Sequence, residues 1–545
     1  MQKIVFTFFT LLSLSGTTGA QVNPEKLKRP KLVVGIIVDQ MRWDYLYRYY
    51  DRYAANGGFK RLLNQGYACE NTMIPYTPTY TACGHASIYT GSVPAINGIT
   101  GNAWWDNMLG KTVYCVQDDS VKTVGSNTEL GQMSPRNMPV TTICDELKLA
   151  TNFRSKVLGF AIKDRGSILP AGHSADAAFW YDNKTGDRIS STYYMNSLPQ
   201  WMKDFNAKKM TDKLYEQGWI TLYPTNTYQQ SVDESKAYLA KPFGPRFPYD
   251  LKKFAGTNYG VIDATPMGNT LTFEAAKAGL IAEELGKDST TDFLAISLSS
   301  TDYVGHTFGP NSIEAEDCYL RLDKELGDLL DFLDEKTGKG QYIFFLSADH
   351  GAAHSPSFLK ENKIPTGQKE DEPLFNDLNK LLKEKAGADH LITEVTNYQV
   401  FLNHAAIGNL KKGPDEKTII NWVIDFLIQQ PGIARAVSLS DLSQTTLNSS
   451  LKETIANGYY PQRSGDIQFL LQPQWLENLP GKGTTHGSWN PYDSHIPLLW
   501  YGWQIKPGKT NREVAMTDIA PTLSALLHIQ MPSGNIGHVI EEIVK

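Results

Sequence analysis

The sequence has few cysteines, and they form no recognisable pattern. Five are spread over 545 residues without a Cys-x-x-Cys pair: Cys69, Cys83, Cys115, Cys144 and Cys318. A thiolate zinc site needs cysteines at close spacing, so we do not expect one here. One or two disulfides remain open if the chain folds in an oxidising compartment. Because the count is odd, at least one thiol would stay unpaired.

Long apolar runs and an excess of basic charge are also missing. No stretch after the N-terminal segment reaches the ~18 unbroken apolar residues of a membrane-spanning helix. The formal net charge is −6, with 52 Lys and Arg residues against 58 Asp and Glu residues. A general nucleic-acid surface is basic, so we expect neither nucleic-acid binding nor a membrane span. Any anion site must therefore be local. The sequence leaves the oligomeric state open.

The first twenty residues have the pattern of a secretory signal peptide. Lys3 supplies a short positive region, residues 4–14 are apolar or hydroxylated, and Thr18–Ala20 offers small residues before a cut at Gln21. The apolar part is too short for a membrane span, and no cysteine follows the cut to carry a lipid anchor. We therefore expect a periplasmic or secreted protein whose catalytic domain covers residues 21–545.

Five apolar runs of strand length are spaced along the chain. They are Lys31–Val38, Ser155–Ile162, Phe293–Leu298, Tyr342–Leu346 and Ile496–Trp500. Amphipathic stretches such as Ile313–Leu333 and Thr418–Gln429 lie between them. Strands that alternate with helices predict an α/β fold, here a three-layer sandwich with a mainly parallel central sheet.

Two long stretches interrupt this alternation, residues 170–270 and 355–480. The first is rich in Trp, Tyr, Pro and Asn, and the second begins with a segment rich in Lys and Glu. Structureless loops of this length are uncommon in a compact domain. We expect both stretches to be folded insertions that lie over the carboxyl ends of the strands as a cap or lid.

Carboxylates and imidazoles fall at or near the ends of the predicted strands. Six such residues are Asp39, Asp302, His306, Asp349, His350 and His486. Each one alone is more simply explained as a hydrogen-bonded polar group, but six at one edge of a sheet indicate a ligand site. This mixture of oxygen and nitrogen donors suits zinc. One catalytic zinc uses about three protein ligands, so six suit two ions.

A segment rich in hydroxyl groups, Pro78–Ser87, contains the candidate nucleophile. Residues 86–91 predict one or two helical turns that end at Gly91. A hydroxyl residue before such a helix lies where the positive end of the helix meets an anion. Because Thr and Ser are also common helix caps, the segment alone is weak evidence. It gains weight from the predicted metal ligands, since metal coordination activates a hydroxyl that is otherwise a poor nucleophile.

Seven short segments carry a family resemblance that covers almost the whole mature chain. They are Val38–Asp44, Pro78–Thr81, Gly98–Asn102, Lys163–Arg165, Ser300–His306, Ala348–Gly351 and Gly483–His486. Together these segments resemble the alkaline phosphatase superfamily, and within it the bacterial phosphate-monoester phosphatases of the PafA type. The Cys-x-Pro-x-Arg motif of sulfatases is absent around Cys83. We therefore do not expect formylglycine chemistry.

The resemblance implies two zinc ions per chain and a covalent phospho-threonine intermediate. It assigns the role of nucleophile to Thr81 and not to Thr79, two residues earlier. One zinc ion would be held by Asp39, Thr81, Asp349 and His350. The other would be held by Asp302, His306 and His486.

The same resemblance implies three contacts to the non-bridging phosphoryl oxygens, from Asn102, Lys163 and Arg165. The transition state of phosphoryl transfer spreads negative charge over these oxygens. Arg offers a planar fork and Lys a point charge, so the pair suits this task. Without the predicted metal ligands, Lys163–Arg165 would be interpreted as an ordinary solvated turn.

The leading hypothesis is an exported alkaline phosphatase that hydrolyses small phosphate monoesters. The alternative is a phosphodiesterase or nucleotide pyrophosphatase of the same superfamily. Such relatives share the threonine and the six ligands, but they lack the Lys/Arg pair and use an apolar pocket for the second substituent. A third hypothesis, a catalytically inactive binding module, is disfavoured by the complete ligand set and by Thr81.

Overall fold

The computed structural model describes residues 28–545, apart from residues 237, 411–412 and 479–481. The predicted signal peptide, residues 1–20, and the cut at Gln21 lie outside the described residues. One large sheet dominates the described part of the chain. Its strands, in spatial order, are His495–Ile496, Tyr67–Met73, Leu498–Gly502, Tyr342–Ser347, Leu32–Val38, Asp292–Leu298, Val157–Phe160, Ala177–Asp182, Asp187–Ser191 and Thr123–Val124.

The centre of this sheet is parallel. Leu32–Val38 lies between Tyr342–Ser347 and Asp292–Leu298, and Val157–Phe160 continues the parallel order to Ala177–Asp182. Every residue of these five strands is buried. Burial at every position, rather than at alternate positions, means that both faces of the sheet are covered. The predicted α/β fold with a mainly parallel central sheet is confirmed.

The edges of the sheet differ from its centre. Leu498–Gly502 corresponds to the predicted run Ile496–Trp500, but it is antiparallel to Tyr342–Ser347. An apolar run does not reveal the direction of its strand, so the sequence did not show this reversal. Tyr67–Met73 pairs with Leu498–Gly502 and also, in parallel, with Gly508–Ala515.

The longer helices pack against this large sheet and against the smaller sheets. They are Gly58–Gln65, Thr81–Thr90, Ile143–Ala150, Asp164–Ala171, Gln200–Ala207, Met210–Gln217, Met267–Ala282, Ser300–Phe308, Ile313–Leu333, Asp371–Ala386, Glu416–Leu427, Ser449–Gly458 and Ile519–Leu527. The helix predicted at Ile313–Leu333 has the same bounds, and the one predicted at Thr418–Gln429 runs two residues earlier, over Glu416–Leu427. The turns predicted at residues 86–91 are the end of a longer helix, which stops at Gly91 with φ 62°.

The first predicted insertion, residues 170–270, contributes directly to the main sheet. Ala177–Asp182 is a central parallel strand, and Asp187–Ser191 pairs with it in antiparallel orientation. The helices Gln200–Ala207 and Met210–Gln217 follow. The aromatic composition of this stretch did not distinguish a buried sheet strand from an inserted segment, so the predicted boundary at residue 170 falls too early.

The second predicted insertion, residues 355–480, has a small sheet and an apolar core of its own. The sheet is antiparallel, with its strands in the order Ile392–Thr396, Gln399–Leu402, Ile467–Leu471 and Ile433–Ser438. The helices Asp371–Ala386 and Glu416–Leu427 bury leucines and isoleucines against it. Two short pairs complete the described strands: Gly367–Lys369 with Trp475–Glu477, and Ala103–Asp106 with Lys111–Tyr114.

All five cysteines lie in the described part of the chain, and each is buried and unpaired. The disulfides that the sequence left open are therefore not formed in this structure. No helix among the described residues is both long and apolar enough to cross a membrane.

Candidate active site

The predicted metal ligands and Thr81 come together at the carboxyl ends of the central parallel strands. Asp39 directly follows Leu32–Val38, and Asp349 follows Tyr342–Ser347. Asp302 lies in the first turn of the helix that follows Asp292–Leu298. This edge is where open α/β sheets bind ligands, because the carboxyl ends of parallel strands meet there.

One group of ligand atoms comprises Asp39, Asp349 and His350, all within 4.8 Å of one another. The Nε2 atom of His350 is 3.5 Å from Asp39 Oδ1 and 3.4 Å from Asp349 Oδ2. Asp39 Oδ1 is buried without a hydrogen-bond partner among the described residues. A buried carboxylate oxygen in this condition costs free energy unless a cation neutralises it. These three residues fit a metal ion, and they are one of the two predicted sets.

The second group centres on Asp302. His306 lies one helical turn later, with its Nε2 atom 3.1 Å from Asp302 Oδ1, and His486 Nε2 is 3.6 Å from the same oxygen. The group whose ligand atoms all lie within 4.8 Å is Asp302, His350 and His486. The compact group thus differs from the predicted set, because His350 stands in it in place of His306, whose Nε2 atom lies beside Asp302. His350 belongs to both groups.

The orientation of the three imidazoles is fixed by backbone carbonyls. The Nδ1 atoms of His306, His350 and His486 lie 2.7–2.9 Å from the carbonyl oxygens of Thr484, Gly351 and Thr79 respectively. A carbonyl only accepts, so each Nδ1 carries the proton and donates. In the neutral ring each Nε2 atom then keeps its lone pair, and these are the atoms that face the carboxylates. Metal-binding histidines are commonly oriented in this way.

Thr81 is the first residue of the helix Thr81–Thr90. Its Oγ1 atom is 3.4 Å from both His350 Nε2 and Lys163 Nζ. Thr79 differs, because its hydroxyl donates to the carbonyl of Ser488 at 2.8 Å. The helix approaches Asp349 so closely that a Cβ atom at Gly84 would lie 2.4 Å from the Asp349 carbonyl oxygen. Because glycine has no side chain, the start of the helix can lie this close to the carboxylates.

Lys163 is buried between two carboxylates. Its Nζ atom donates to Asp39 Oδ2 at 2.8 Å and to Asp302 Oδ2 at 2.6 Å. Burial alone lowers the pKa of Lys163, but Asp302 and Asp39 more than offset this, and the pKa is raised above its ordinary value. With these two carboxylates as partners, the side chain is a cation beside the hydroxyl of Thr81.

Asn102 and Arg165 are the other two predicted phosphoryl contacts. Asn102 lies next to Thr81, and Arg165 lies next to Lys163. The Oδ1 atom of Asn102 accepts from the backbone N–H of Ala82 at 3.0 Å, directly after Thr81. Arg165 and Lys163 both line a cavity of about 170 Å³, whose other walls include Tyr114 and Tyr303. Lys163 and Asn102 thus lie beside the candidate nucleophile, and Arg165 shares a cavity wall with Lys163.

Two contacting residues were not predicted as site residues. Gln40 bridges the ligand groups, since its backbone N–H donates to Asp349 Oδ1 at 3.1 Å and its side-chain amide donates to Asp302 Oδ1 at 2.6 Å. His85 Nδ1 lies 2.8 Å from the carbonyl oxygen of Thr81. The sequence signal was their position within the segments Val38–Asp44 and Pro78–Ser87. Neither residue forms a ligand pattern of its own there.

Comparison with known proteins identifies the family. A family model described as type I phosphodiesterase / nucleotide pyrophosphatase matches residues 33–489. The chain belongs to this family, within the alkaline phosphatase superfamily. The predicted superfamily is thereby confirmed.

Three curated relatives match nearly the whole chain. Alkaline phosphatase PhoV of Synechococcus elongatus is 54% identical, covering 96% of this chain and 94% of its own. A protein of Myroides odoratus named calcium-transporting ATPase is 53% identical, with 96% and 97% covered. Alkaline phosphatase PafA of Elizabethkingia meningoseptica is 49% identical, with 98% of each chain covered. Two of these names agree with the predicted phosphatase class of hydrolase.

Solved structures confirm the fold. A crystal structure of wild-type alkaline phosphatase PafA matches with a TM-score of 0.93 and 49% identity, covering 95% of this chain and 100% of that one. A murine ectonucleotide pyrophosphatase / phosphodiesterase 5 structure matches with a TM-score of 0.51 and 14% identity, which shows a shared fold only.

Proposed function

We propose that this protein is an exported alkaline phosphatase that hydrolyses small phosphate monoesters at a two-zinc site through a phospho-threonine intermediate. The observation that carries the proposal is the position of Lys163, a buried cation 3.4 Å from the hydroxyl of Thr81 and in contact with both ligand groups. The alkaline phosphatase names of two close relatives support it.

The residues of the site fit two zinc ions. Asp39, Asp349 and His350 would hold one ion with Thr81, and Asp302, His306 and His486 would hold the other. Carboxylate oxygens and imidazole nitrogens are ordinary zinc ligands, and the unpartnered Oδ1 of Asp39 needs a cation. Bound zinc would favour the deprotonated form of the Thr81 hydroxyl and would neutralise charge on the phosphoryl oxygens.

The reaction needs two displacements at phosphorus. In the first, a bond forms between Thr81 Oγ1 and phosphorus while the ester bond breaks, and the leaving alcohol ends with the proton that Thr81 loses. In the second, water attacks phosphorus, the bond to Thr81 breaks, and the hydroxyl is restored with release of inorganic phosphate. Lys163, Arg165 and Asn102 bind the non-bridging oxygens, where negative charge is spread in both transition states.

The family also contains phosphodiesterases, so diester hydrolysis is the second candidate. A monoester dianion offers two oxygens to Lys163, Arg165 and Asn102, and the third would be left for the zinc ions that the two ligand groups would hold. In a diester, one of these oxygens carries carbon and has less charge. Lys163 and Arg165 therefore favour the monoester, because a buried cation that loses its anionic partner costs more than one contact.

The deciding experiment compares an aryl phosphate monoester with the matching diester. We expect a clearly larger kcat/KM for the monoester at the same pH and zinc content. A native enzyme that is faster on the diester would support the second candidate. A protein that hydrolyses neither ester with its full metal content would support the binding-module hypothesis instead.

We also infer that the segments 170–270 and 355–480 contribute to the walls of the site. The second segment touches it in two places. The hydroxyl of Tyr398 donates to the carbonyl of His486 at 3.4 Å, and the hydroxyl of Tyr80, beside Thr81, donates to Glu477 at 2.9 Å. These contacts support the proposed role of residues 355–480 as a cap.

A further inference from the structure

We propose that Tyr114 is a positioning residue that selects which edge of the Arg165 guanidinium faces the substrate. This inference rests on the proposed function. Arg165 Nη1 donates to the hydroxyl oxygen of Tyr114 at 3.0 Å, and that hydroxyl in turn lies 2.6 Å from Asp164 Oδ1. The three side chains therefore form a short chain of hydrogen bonds at the wall of the cavity.

The direction of each hydrogen bond in this chain is unambiguous. A guanidinium only donates, and an ionised carboxylate only accepts. The single phenolic proton of Tyr114 must therefore point at Asp164, and a lone pair on the same oxygen must accept from Arg165. A phenol is suited to this position because it accepts on one side and donates on the other.

The contact with Tyr114 occupies one end of the guanidinium and leaves the opposite edge for a ligand. Arg165 Nε is buried and has no hydrogen-bond partner among the described residues. The Nε and Nη2 atoms form one edge of the planar fork, which binds two oxygens of a phosphate or carboxylate side by side. Because Nη1 already donates to Tyr114 while the buried Nε has no partner among the described residues, this edge is the better placed one for two phosphoryl oxygens.

The hairpin Ala103–Asp106 and Lys111–Tyr114 positions Tyr114 with respect to the nucleophile. Asn102 precedes its first strand, and the backbone N–H of Cys115, after its second strand, donates to the carbonyl of Asn102 at 3.0 Å. Asn102 and Tyr114 thus lie side by side at the open end of one hairpin, next to the pair formed by Ala103 and Tyr114. This hairpin therefore positions two predicted phosphoryl contacts: Asn102 directly, and Arg165 through Tyr114.

Without the phenolic oxygen of Tyr114, Arg165 Nη1 would need another hydrogen-bond acceptor. Arg165 Nη1 is 4.0 Å from Asp164 Oδ1, separated in effect by the Tyr114 hydroxyl. In a Tyr114→Phe variant, Arg165 Nη1 loses its acceptor, and Asp164 Oδ1 keeps only the backbone N–H of Arg165 at 2.6 Å. This favours a direct ion pair between the two side chains inside a partly buried site. A guanidinium drawn towards Asp164 would present its edge to phosphate less well.

The test is a double-mutant cycle with Tyr114→Phe, Arg165→Ala and the combined variant, measured on an aryl phosphate monoester. We expect Tyr114→Phe to lower kcat/KM by about tenfold, in line with one weakened charge-assisted hydrogen bond. In the Arg165→Ala background the same change should have almost no effect, because the group it positions is gone. Inhibition by inorganic phosphate should weaken in parallel.

Two controls separate positioning from general damage. Tyr193→Phe removes a phenol that donates to the carbonyl of His173 at 2.9 Å outside the site, and it should leave kcat/KM unchanged. If Tyr114→Phe does not fold, as judged by circular dichroism, Asp164→Asn weakens the same chain and should show the same dependence on Arg165.

Equal losses in the presence and absence of Arg165, or no loss at all, would overturn the role of Tyr114. A failure of the proposed function gives a different result, since the wild-type enzyme would then prefer the diester or would be insensitive to Arg165→Ala. The cycle itself measures the sensitivity to Arg165→Ala, and a parallel assay of the wild-type enzyme on the matching diester measures the preference.

Discussion

His350 and His486 stack face to face, with ring centroids 3.4 Å apart and ring planes inclined by 11°. Two protonated imidazoles would repel each other strongly at this distance. Burial lowers the pKa of both rings, and for His486 the neighbouring His350 lowers it further. The pair is therefore neutral, which is the form in which histidine binds a metal ion.

The first prediction concerns the metal. Prolonged treatment with a chelator should abolish activity, zinc should restore it, and metal analysis of the purified protein should find about two zinc ions per chain. Affinity should fall in acid, because the ligands must be deprotonated to bind. Full activity in protein shown by the same analysis to be metal-free would disprove the two-zinc proposal.

The second prediction distinguishes Thr81 from Thr79. Thr81→Ala should remove the phosphorylated intermediate and most of the activity, whereas Thr81→Ser keeps a hydroxyl and should retain much of the rate. Thr79→Ala is the matched control, since its hydroxyl donates to the carbonyl of Ser488, and the substitution keeps the Thr79 carbonyl that orients His486. Acid quenching, digestion and mass spectrometry would locate the phosphate. Phosphate on Thr79 would overturn the assignment.

The third prediction concerns substrate preference. Replacement of Lys163 and Arg165 by Ala together should lower monoester kcat/KM by roughly 10²- to 10⁴-fold, at ten- to a hundredfold per charge-assisted contact. Diester hydrolysis should fall much less, because it relies mainly on the metal ligands and Thr81. The exposed Lys383 and Arg435 provide a matched double substitution that should change neither rate. Equal losses on both substrates would mean that the pair only supports the site.

The fourth prediction concerns stability and pH. Burial raises the pKa of Glu325 to about 7, although the Thr270 hydroxyl donates to it. Below pH ~4.5 both the folded and unfolded states hold the proton, and between there and pH ~7 only the folded state does. Stability contributed by this group therefore falls as pH rises through that window, by at most about 3 kcal/mol.

A Glu325→Gln variant checks this directly, because Gln keeps the hydrogen-bonding shape without the charge. The variant should be more stable than wild type at pH 8 and equal to it near pH 4.5, as measured by chemical denaturation. The exposed Glu384→Gln variant should show no such dependence on pH. A gain in stability that is the same at both pH values would contradict the argument.

The fifth prediction concerns export. The mature protein should begin near Gln21 and should be found outside the cytoplasm, as N-terminal sequencing of the native protein would show. A cytoplasmic protein with residues 1–20 intact would contradict this.

Local sequence was informative where one apolar run determined one strand. The runs that precede Asp39, Thr301 and Asp349 are buried parallel strands. Their carboxyl ends lie together at one edge of the sheet, as parallel strands require. The sequence therefore predicted the edge of the sheet that carries the site. It failed at Ala177–Asp182, where a strand was hidden in an aromatic stretch.

Contacts between distant segments could not be predicted. Gln40 and Asp302 are 262 residues apart in sequence, yet their side chains are 2.6 Å apart. Tyr114 reaches Arg165 only because a hairpin folds back beside the helix that begins at Asp164. Such contacts depend on how whole elements pack, and no local pattern encodes them.

The backbone carbonyls that orient His306, His350 and His486 have a consequence for evolution. Every amino acid carries a carbonyl, so replacing the side chain at Thr79 or Thr484 does not delete the hydrogen-bond acceptor. Sequence drift at these two positions can therefore leave the tautomers of His486 and His306 intact, provided the loops keep their course. Gly351 is different, because a Cβ atom there would lie 2.2 Å from the carbonyl oxygen of Tyr492. Sites that orient their histidines with carboxylate side chains have no such protection, since one substitution removes the acceptor.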